Sequence, residues 1–161
     1  MVIDTNVLAC ANGDAPQAGR ECVLACVLVL REIEASGIVC LDVGGAVLAE
    51  YSLHASPTGQ PGVGDAFYRW LYLNKERRYR VRQVEIAAHA RRGYEEFPSD
   101  SALESFDHDD RKFIAVAVVA GKRRRPPILN ATDSDYSHYL NALQRHGVTV
   151  EELCPDILKP L

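Results

Sequence analysis

Four acidic residues, Asp4, Glu50, Asp110 and Asp133, stand where a chain of alternating strands and helices would gather them. Asp4 closes the opening apolar run Met1–Ile3, Asp110 opens an Ala/Val-rich stretch, and Asp133 follows the short apolar run Ile128–Ala131. In a parallel sheet the strands end along one edge, so these three are expected over a common carboxyl edge, where such sheets take their ligands. Glu50 is expected on the apolar side of a helix, between Leu48, Ala49 and Tyr51, where a carboxylate needs a partner. Converging carboxylates repel, one pair at about 4 Å costing about 4 kcal/mol at an effective dielectric of about 20. Either their pKa values rise or a divalent cation neutralises them. All-oxygen ligation favours Mg²⁺ or Mn²⁺ over zinc, and such a centre activates water and stabilises the oxygens of an in-line phosphoryl displacement.

Each acid also has a plainer role. Asp4 before Thr5-Asn6 suits a turn or a helix N-cap, Asp110 suits the positive end of a helix dipole, as do Asp107 and Asp109, and Asp133 suits a cap for the next helix. The conjunction of the four in βα order is what points to a site. Asn6, two residues beyond Asp4, either supports the acids or forms a turn. The chain contains no Ser-His-Asp elbow, no phosphate-cradling Gly loop and no dinucleotide fingerprint, and its five histidines have no ligand spacing.

The charge is unevenly spread. Between Arg69 and Tyr94 eight basic residues face two acidic ones, a local +6 in a chain of net −4, which leaves −10 on the remainder. Tyr68, Trp70, Tyr72 and Tyr79 interleave with these arginines, the composition of a surface that stacks bases and contacts phosphates. Arg77, Arg78, Arg80 and Arg82 are the candidate nucleic-acid contacts, and Lys122–Arg125 is a second basic run. Such stretches are also ordinary solvated faces.

The elements that must position these residues follow from pattern. Met1–Asp4 reads as a strand, Ala18–Ser36 as a helix stopped by Gly37, Ile38–Leu41 as a buried strand and Ala46–His54 as a helix. Asp65 is a fair N-cap for a helix from Ala66 to about Arg77. Arg80–Ile86 fits strand and helix equally, and Ala87–Ser105 is irregular. Asp110–Ala120 is a helix, Ile128–Ala131 a strand, Asp135–His146 a helix and Val148–Val150 a last strand. The order β-αα-β-α-β-α-β argues an α/β fold with a parallel sheet covered by helices on both faces.

Several of these segments resemble the PIN-domain nucleases. Val2-Ile3-Asp4-Thr5-Asn6-Val7-Leu8 is similar to the family's first-strand signature, and Val47–Tyr51 to the helix that supplies its glutamate. Asp107–Ala117 is similar to the segment carrying the third acid, placing it on Asp110 with Asp107 a helical turn earlier. Ile128–Tyr136 resembles the fourth-acid segment, with Asp133 as ligand and Asp135-Tyr136 starting the next helix. The resemblance spans about residues 1–136. It implies a three-layer α/β/α fold with a central parallel sheet. It further implies Mg²⁺ or Mn²⁺ held by Asp4, Glu50, Asp110 and Asp133, with Asn6, Asp107 and Asp135 in support, and hydrolysis of RNA. Many bacterial members are toxins of toxin–antitoxin pairs, so the resemblance also implies an antitoxin partner and a homodimer. Two departures stand out: Ala131 where Thr or Ser is common, and a long basic insertion at about 56–100. The rival readings are a catalytically silent RNA-binding or protein-interaction module and a phosphoacceptor domain; the latter lacks the lysine it would need after the late strand.

At 161 residues the chain is expected to form a single domain, 1–161. Hydrophobic residues at 47% and charged ones at 25% exclude disordered, collagen-like and coiled-coil classes. The longest apolar run, Cys22–Leu30, is about half of a membrane span, and no leader is apparent after Met1. Five cysteines without paired spacing suggest neither a disulfide framework nor a zinc site, so a cytoplasmic chain is expected, with Cys22 and Cys26 as core residues.

Overall fold

The computed structural model describes residues 1–121 and 125–157. Lys122, Arg123 and Arg124 of the second basic run lie outside the described residues. The fold is mixed α/β. A parallel sheet is formed by β1 (Val2–Ile3), β6 (Ile128–Asn130) and β7 (Val150–Glu152) in the order β1-β6-β7, with Val2 opposite Ile128 and Ile128 opposite Val150. A second parallel pair joins β2 (Val39–Asp42) to β3 (Val81–Val84), Val39 opposite Val81. Met1 links the two: its amine donates to the Ile38 carbonyl at 2.8 Å and its carbonyl accepts from the Cys40 N–H at 2.8 Å. Every residue of β1, β2 and β6 is buried, as expected for continuous apolar runs in parallel sheets. A small antiparallel pair, β4 (Ala88–His89) and β5 (Gly93–Tyr94), and a 3₁₀ turn, Ser101–Leu103, occupy the stretch read as irregular.

The helices are α1 (Thr5–Asn12), α2 (Arg20–Ser36), α3 (Ala46–His54), α4 (Val63–Asn74), α5 (Arg111–Gly121), α6 (Asp135–His138) and α7 (Leu140–Arg145). None of the described helices is long and apolar enough to cross a membrane. Gly13, at φ +83°, ends α1 in the left-handed conformation that glycine adopts without Cβ strain. Gly64 lets α4 meet α1 closely, since a Cβ there would lie 2.2 Å from the Leu8 carbonyl oxygen.

Several boundaries differ from the pattern reading. Arg80–Ile86 resolves as a strand, because β2 offers a parallel partner that local periodicity cannot reveal. The helix expected from Ala66 starts three residues earlier, and Asp65 lies within its first turn rather than at the cap. Its carboxylate reaches back to the Gly62 N–H at 2.8 Å and the Ser56 N–H at 2.7 Å, and accepts from Asn12 Nδ2 at 3.0 Å. Asp135–His146 is broken into two short helices at Tyr139, and the last strand runs Val150–Glu152 instead of Val148–Val150. The basic stretch 56–100 is part of the packed body, with Phe67, Tyr68 and Leu71 in the core and β3 on β2.

Cys22 and Cys26 are buried in the core as expected, but the expectation of no disulfide is overturned. Cys22 and Cys154 form a disulfide across 132 residues, so spacing along the chain gave no sign of it. Closing a loop of that size restricts the unfolded chain by about 5 kcal/mol in the entropic picture. Cys10, Cys26 and Cys40 are free and buried, and burial pushes the Cys10 and Cys26 thiols above their ordinary range.

Candidate metal centre

Asp4 follows β1 and is the N-cap of α1, its Oδ1 accepting from the Asn6 N–H at 2.9 Å. Its Oδ2 accepts from the Tyr136 hydroxyl at 2.7 Å. Each carboxylate oxygen has two lone pairs, so both caps leave Asp4 acceptor capacity. The cap role and the site role are therefore compatible in one residue.

Asp110 immediately precedes α5 without capping it. Its backbone carbonyl accepts from the Phe113 N–H, and among the described residues its carboxylate has no hydrogen-bond donor. The loop before it is pinned by Arg111, a buried residue whose guanidinium donates to the carbonyls of Glu104 and Phe106 at 2.7 and 2.9 Å and lies 4.6 Å from the centre of the Phe97 ring. Asp133 follows β6, and its Oδ1 accepts from the Asp135 N–H at 2.9 Å. One carboxylate oxygen from each of Asp4, Asp110 and Asp133 falls within a mutual 4.8 Å.

Burial and mutual repulsion shape their titration. Asp4 is 3% exposed; desolvation raises its pKa to about 6 against the lowering effect of the Asn6 N–H and the Tyr136 hydroxyl. Asp110 is pushed up to about 8, first by desolvation and then by the charges of Asp4, Asp133 and Asp107, with Lys112 opposing. Asp133 is raised as well, chiefly by burial. Three carboxylates at this separation therefore share protons near neutral pH or take up a cation.

Asn6 and Asn130 hold the frame. Asn6 Nδ2 donates to Asn130 Oδ1 at 2.8 Å, and Asn6 Oδ1 accepts from the Ala131 N–H at 2.8 Å, tying α1 to the end of β6. Asn130 is fully buried; its amide donates to the Asp133 carbonyl at 2.7 Å and to Glu152 Oε2 at 2.6 Å. Ala131 is fully buried, and its backbone N–H is the group that Asn6 accepts from.

Glu50 stands apart from the three. Asp42, at the end of β2, caps α3 through the Ala46 and Val47 N–H groups at 2.7 and 2.9 Å and so sets where Glu50 falls. Glu50 lines the same cleft of about 320 Å³ as Asp4, Asn6, Asp110 and Asp133. Its carboxylate, however, pairs with the buried Lys112 ammonium at 3.2 Å and with His54 Nε2 at 3.5 Å. Lys112 also donates to the Asp109 carbonyl. Asp107 is exposed, accepts from the Asp109 N–H at 2.9 Å, and acts on Asp110 and Asp133 through its charge. Asp135 is the first residue of α6 and raises Asp133 in the same way.

The basic candidates lie elsewhere. Arg77, Arg78 and Arg80 precede β3, whose start is level with the start of β2, and Arg80 Nη1 donates to the Ala35 carbonyl at the end of α2 at 3.0 Å. This is the amino edge of the parallel pair, opposite the carboxyl edge that Asp42 marks. Arg82 is half-buried within β3. Tyr72 and Tyr79 are exposed, whereas Tyr68 is in the core.

Sequence reasoning missed Lys112, Asn130, Tyr136 as a donor, and Glu152. Two carried a signal: Lys112, with Arg111, is one of two cations opening an otherwise Ala/Val-rich helix, and Asn130 is a lone amide in an apolar strand. Comparison of the chain with protein-family models, curated proteins and solved structures finds no match.

Proposed function

We propose that the chain is a divalent-metal-dependent ribonuclease with a PIN-like architecture. The observation that carries this reading is the convergence of Asp4, Asp110 and Asp133 within 4.8 Å, with the Asp110 carboxylate lacking any hydrogen-bond donor among the described residues. The hydrogen bonds of Met1 to Ile38 and Cys40 support one continuous sheet in the order β3-β2-β1-β6-β7, with helices on both faces, as in the three-layer fold the resemblance implies.

The all-carboxylate donor set fits Mg²⁺ or Mn²⁺, held by Asp4, Asp110 and Asp133. When bound, such an ion lowers the pKa of water and stabilises charge developing on a phosphodiester. The chain's own residues orient the site. Tyr136 and the Asn6 N–H fix the Asp4 carboxylate, and Asn130 fixes the Asp133 backbone. Lys112 balances the acidic charge and holds Glu50 at the cleft wall.

The test is Mn²⁺-dependent cleavage of a labelled single-stranded RNA by the wild-type chain and by Asp4→Asn and Asp110→Asn. The reading expects activity to fall by about 100-fold or more in both variants. Wild-type activity in either removes that residue from the metal site.

The Glu50–Lys112 pair favours a second reading, a PIN-like module that binds RNA without cutting it, since a neutralised fourth acid weakens the case for a full ligand set. That reading expects salt-sensitive RNA binding that persists in both acid variants, with no cleavage by the wild type.

A further inference from the structure

Cys10 lies on the last turn of α1, beside Cys22 and Cys26 on the first two turns of α2, and the chain returns to the same point after β7 with Cys154. The four sulfurs lie within 4.8 Å of one another, and all four residues are buried. Cys22 and Cys154 are joined, and Cys10 Sγ is 3.5 Å from Cys22 Sγ. A disulfide uses two of these sulfurs and leaves two thiols against it. Cys40, in β2, lies outside the group.

We propose that the reduced chain binds one Zn²⁺ ion through Cys10, Cys22, Cys26 and Cys154, and that metal and disulfide are alternative states of the same four sulfurs. Tetrahedral zinc with Zn–S bonds of about 2.3 Å sets its sulfurs about 3.8 Å apart. Cys10 Sγ and Cys22 Sγ stand 3.5 Å apart and no pair of the four exceeds 4.8 Å, so the main change required is the parting of the bonded pair. The redox step takes two electrons and two protons from a dithiol, which leaves as its own disulfide while Cys22 and Cys154 become thiols. Zn²⁺ then displaces four thiol protons to give a site of net charge −2. Cys22 lies in the first turn of the 17-residue α2, where the helix dipole favours a thiolate.

Ligand softness separates this centre from the carboxylates: thiolates select Zn²⁺ and leave Mg²⁺ to oxygen ligands. The two centres share supports. Cys10 is on the helix that Asp4 caps, and Cys154 is two residues beyond Glu152, which accepts from Asn130. The disulfide ties α2 to the segment after β7, and the metal would tie α1 to both.

The test uses Co²⁺ as the spectroscopic probe on the intact chain under anaerobic conditions. The reduced wild type is expected to show thiolate-to-cobalt charge transfer and the intense visible bands of a tetrahedral site, saturating at one equivalent and bleached by Zn²⁺. The disulfide form is expected to show neither. Asp110→Asn and Cys40→Ala should keep the bands, and Cys10→Ala and Cys26→Ala should lose them. Absence of charge transfer in the reduced wild type overturns the proposal, and needs no variant to fold. Bands that persist in both Cys10→Ala and Cys26→Ala, or absorption that vanishes with Asp110→Asn, also overturn it. The cleavage assay does not enter this test, so the two centres stand or fall separately.

Discussion

The Tyr136 hydroxyl donates to Asp4 Oδ2 at 2.7 Å, joining residues 132 positions apart, both buried. The bond fastens the start of α6 to the end of β1 and holds down a carboxylate that burial raises. Tyr136→Phe keeps the ring among its neighbours and removes only the hydroxyl. Asp4 is then expected to titrate above about 6, and the fold to lose about 1–3 kcal/mol. Carboxyl NMR titration and urea unfolding measure the two effects, and an unmoved Asp4 midpoint would show that the bond does not set its charge.

Asp110 gives the metal-free fold a pH dependence of definite sign. Its pKa rises from 3.8 in the unfolded reference to about 8 in the folded chain. Between these values the native state holds a proton that the unfolded state has released, so this contribution to stability is full below about pH 4 and is lost as pH climbs towards 8. Asp110→Asn removes the effect. Its Tm relative to wild type is therefore expected to rise between pH 5 and pH 8, and Mn²⁺ added to wild type at pH 8 should recover the difference. Parallel Tm profiles for the two chains would exclude repulsion at this site.

Asn130 is the least replaceable polar side chain of the frame. Asn130→Ala strands the Asn6 amide, the Asp133 backbone groups and one oxygen of Glu152, whose pKa burial has already raised. A cost of about 2–4 kcal/mol is expected from these unpaired buried groups. Urea denaturation checks it, and Mn²⁺ affinity should weaken together with stability because Asp133 loses its anchor. A loss below about 0.5 kcal/mol would mean that water replaces the amide.

The acids at the ends of β1 and β6 were legible because an apolar run followed by a carboxylate is a local pattern. Their convergence rested on one topological rule, that parallel strands share a carboxyl edge. Glu50 was legible as a residue in need of a partner, but Lys112, 62 positions away, was not identifiable as that partner. The basic segment was legible as charge, and its place was not. Nothing local in Arg77-Arg78-Tyr79-Arg80 says that it enters β3 at the amino edge, since that depends on β3 pairing in parallel with β2.

The sequence by itself determined the alternation of strands and helices, the apolar strands and the positions of the candidate acids, because these follow from periodicity and side-chain chemistry over a few residues. Only the tertiary structure decided which side chains meet. Asp4, Asp110 and Asp133 came together while Glu50 was drawn to Lys112, and four cysteines from α1, α2 and the segment after β7 met at one point. Contacts of this kind depend on helix packing and strand order, and a separation of 132 residues leaves no periodic trace along the chain.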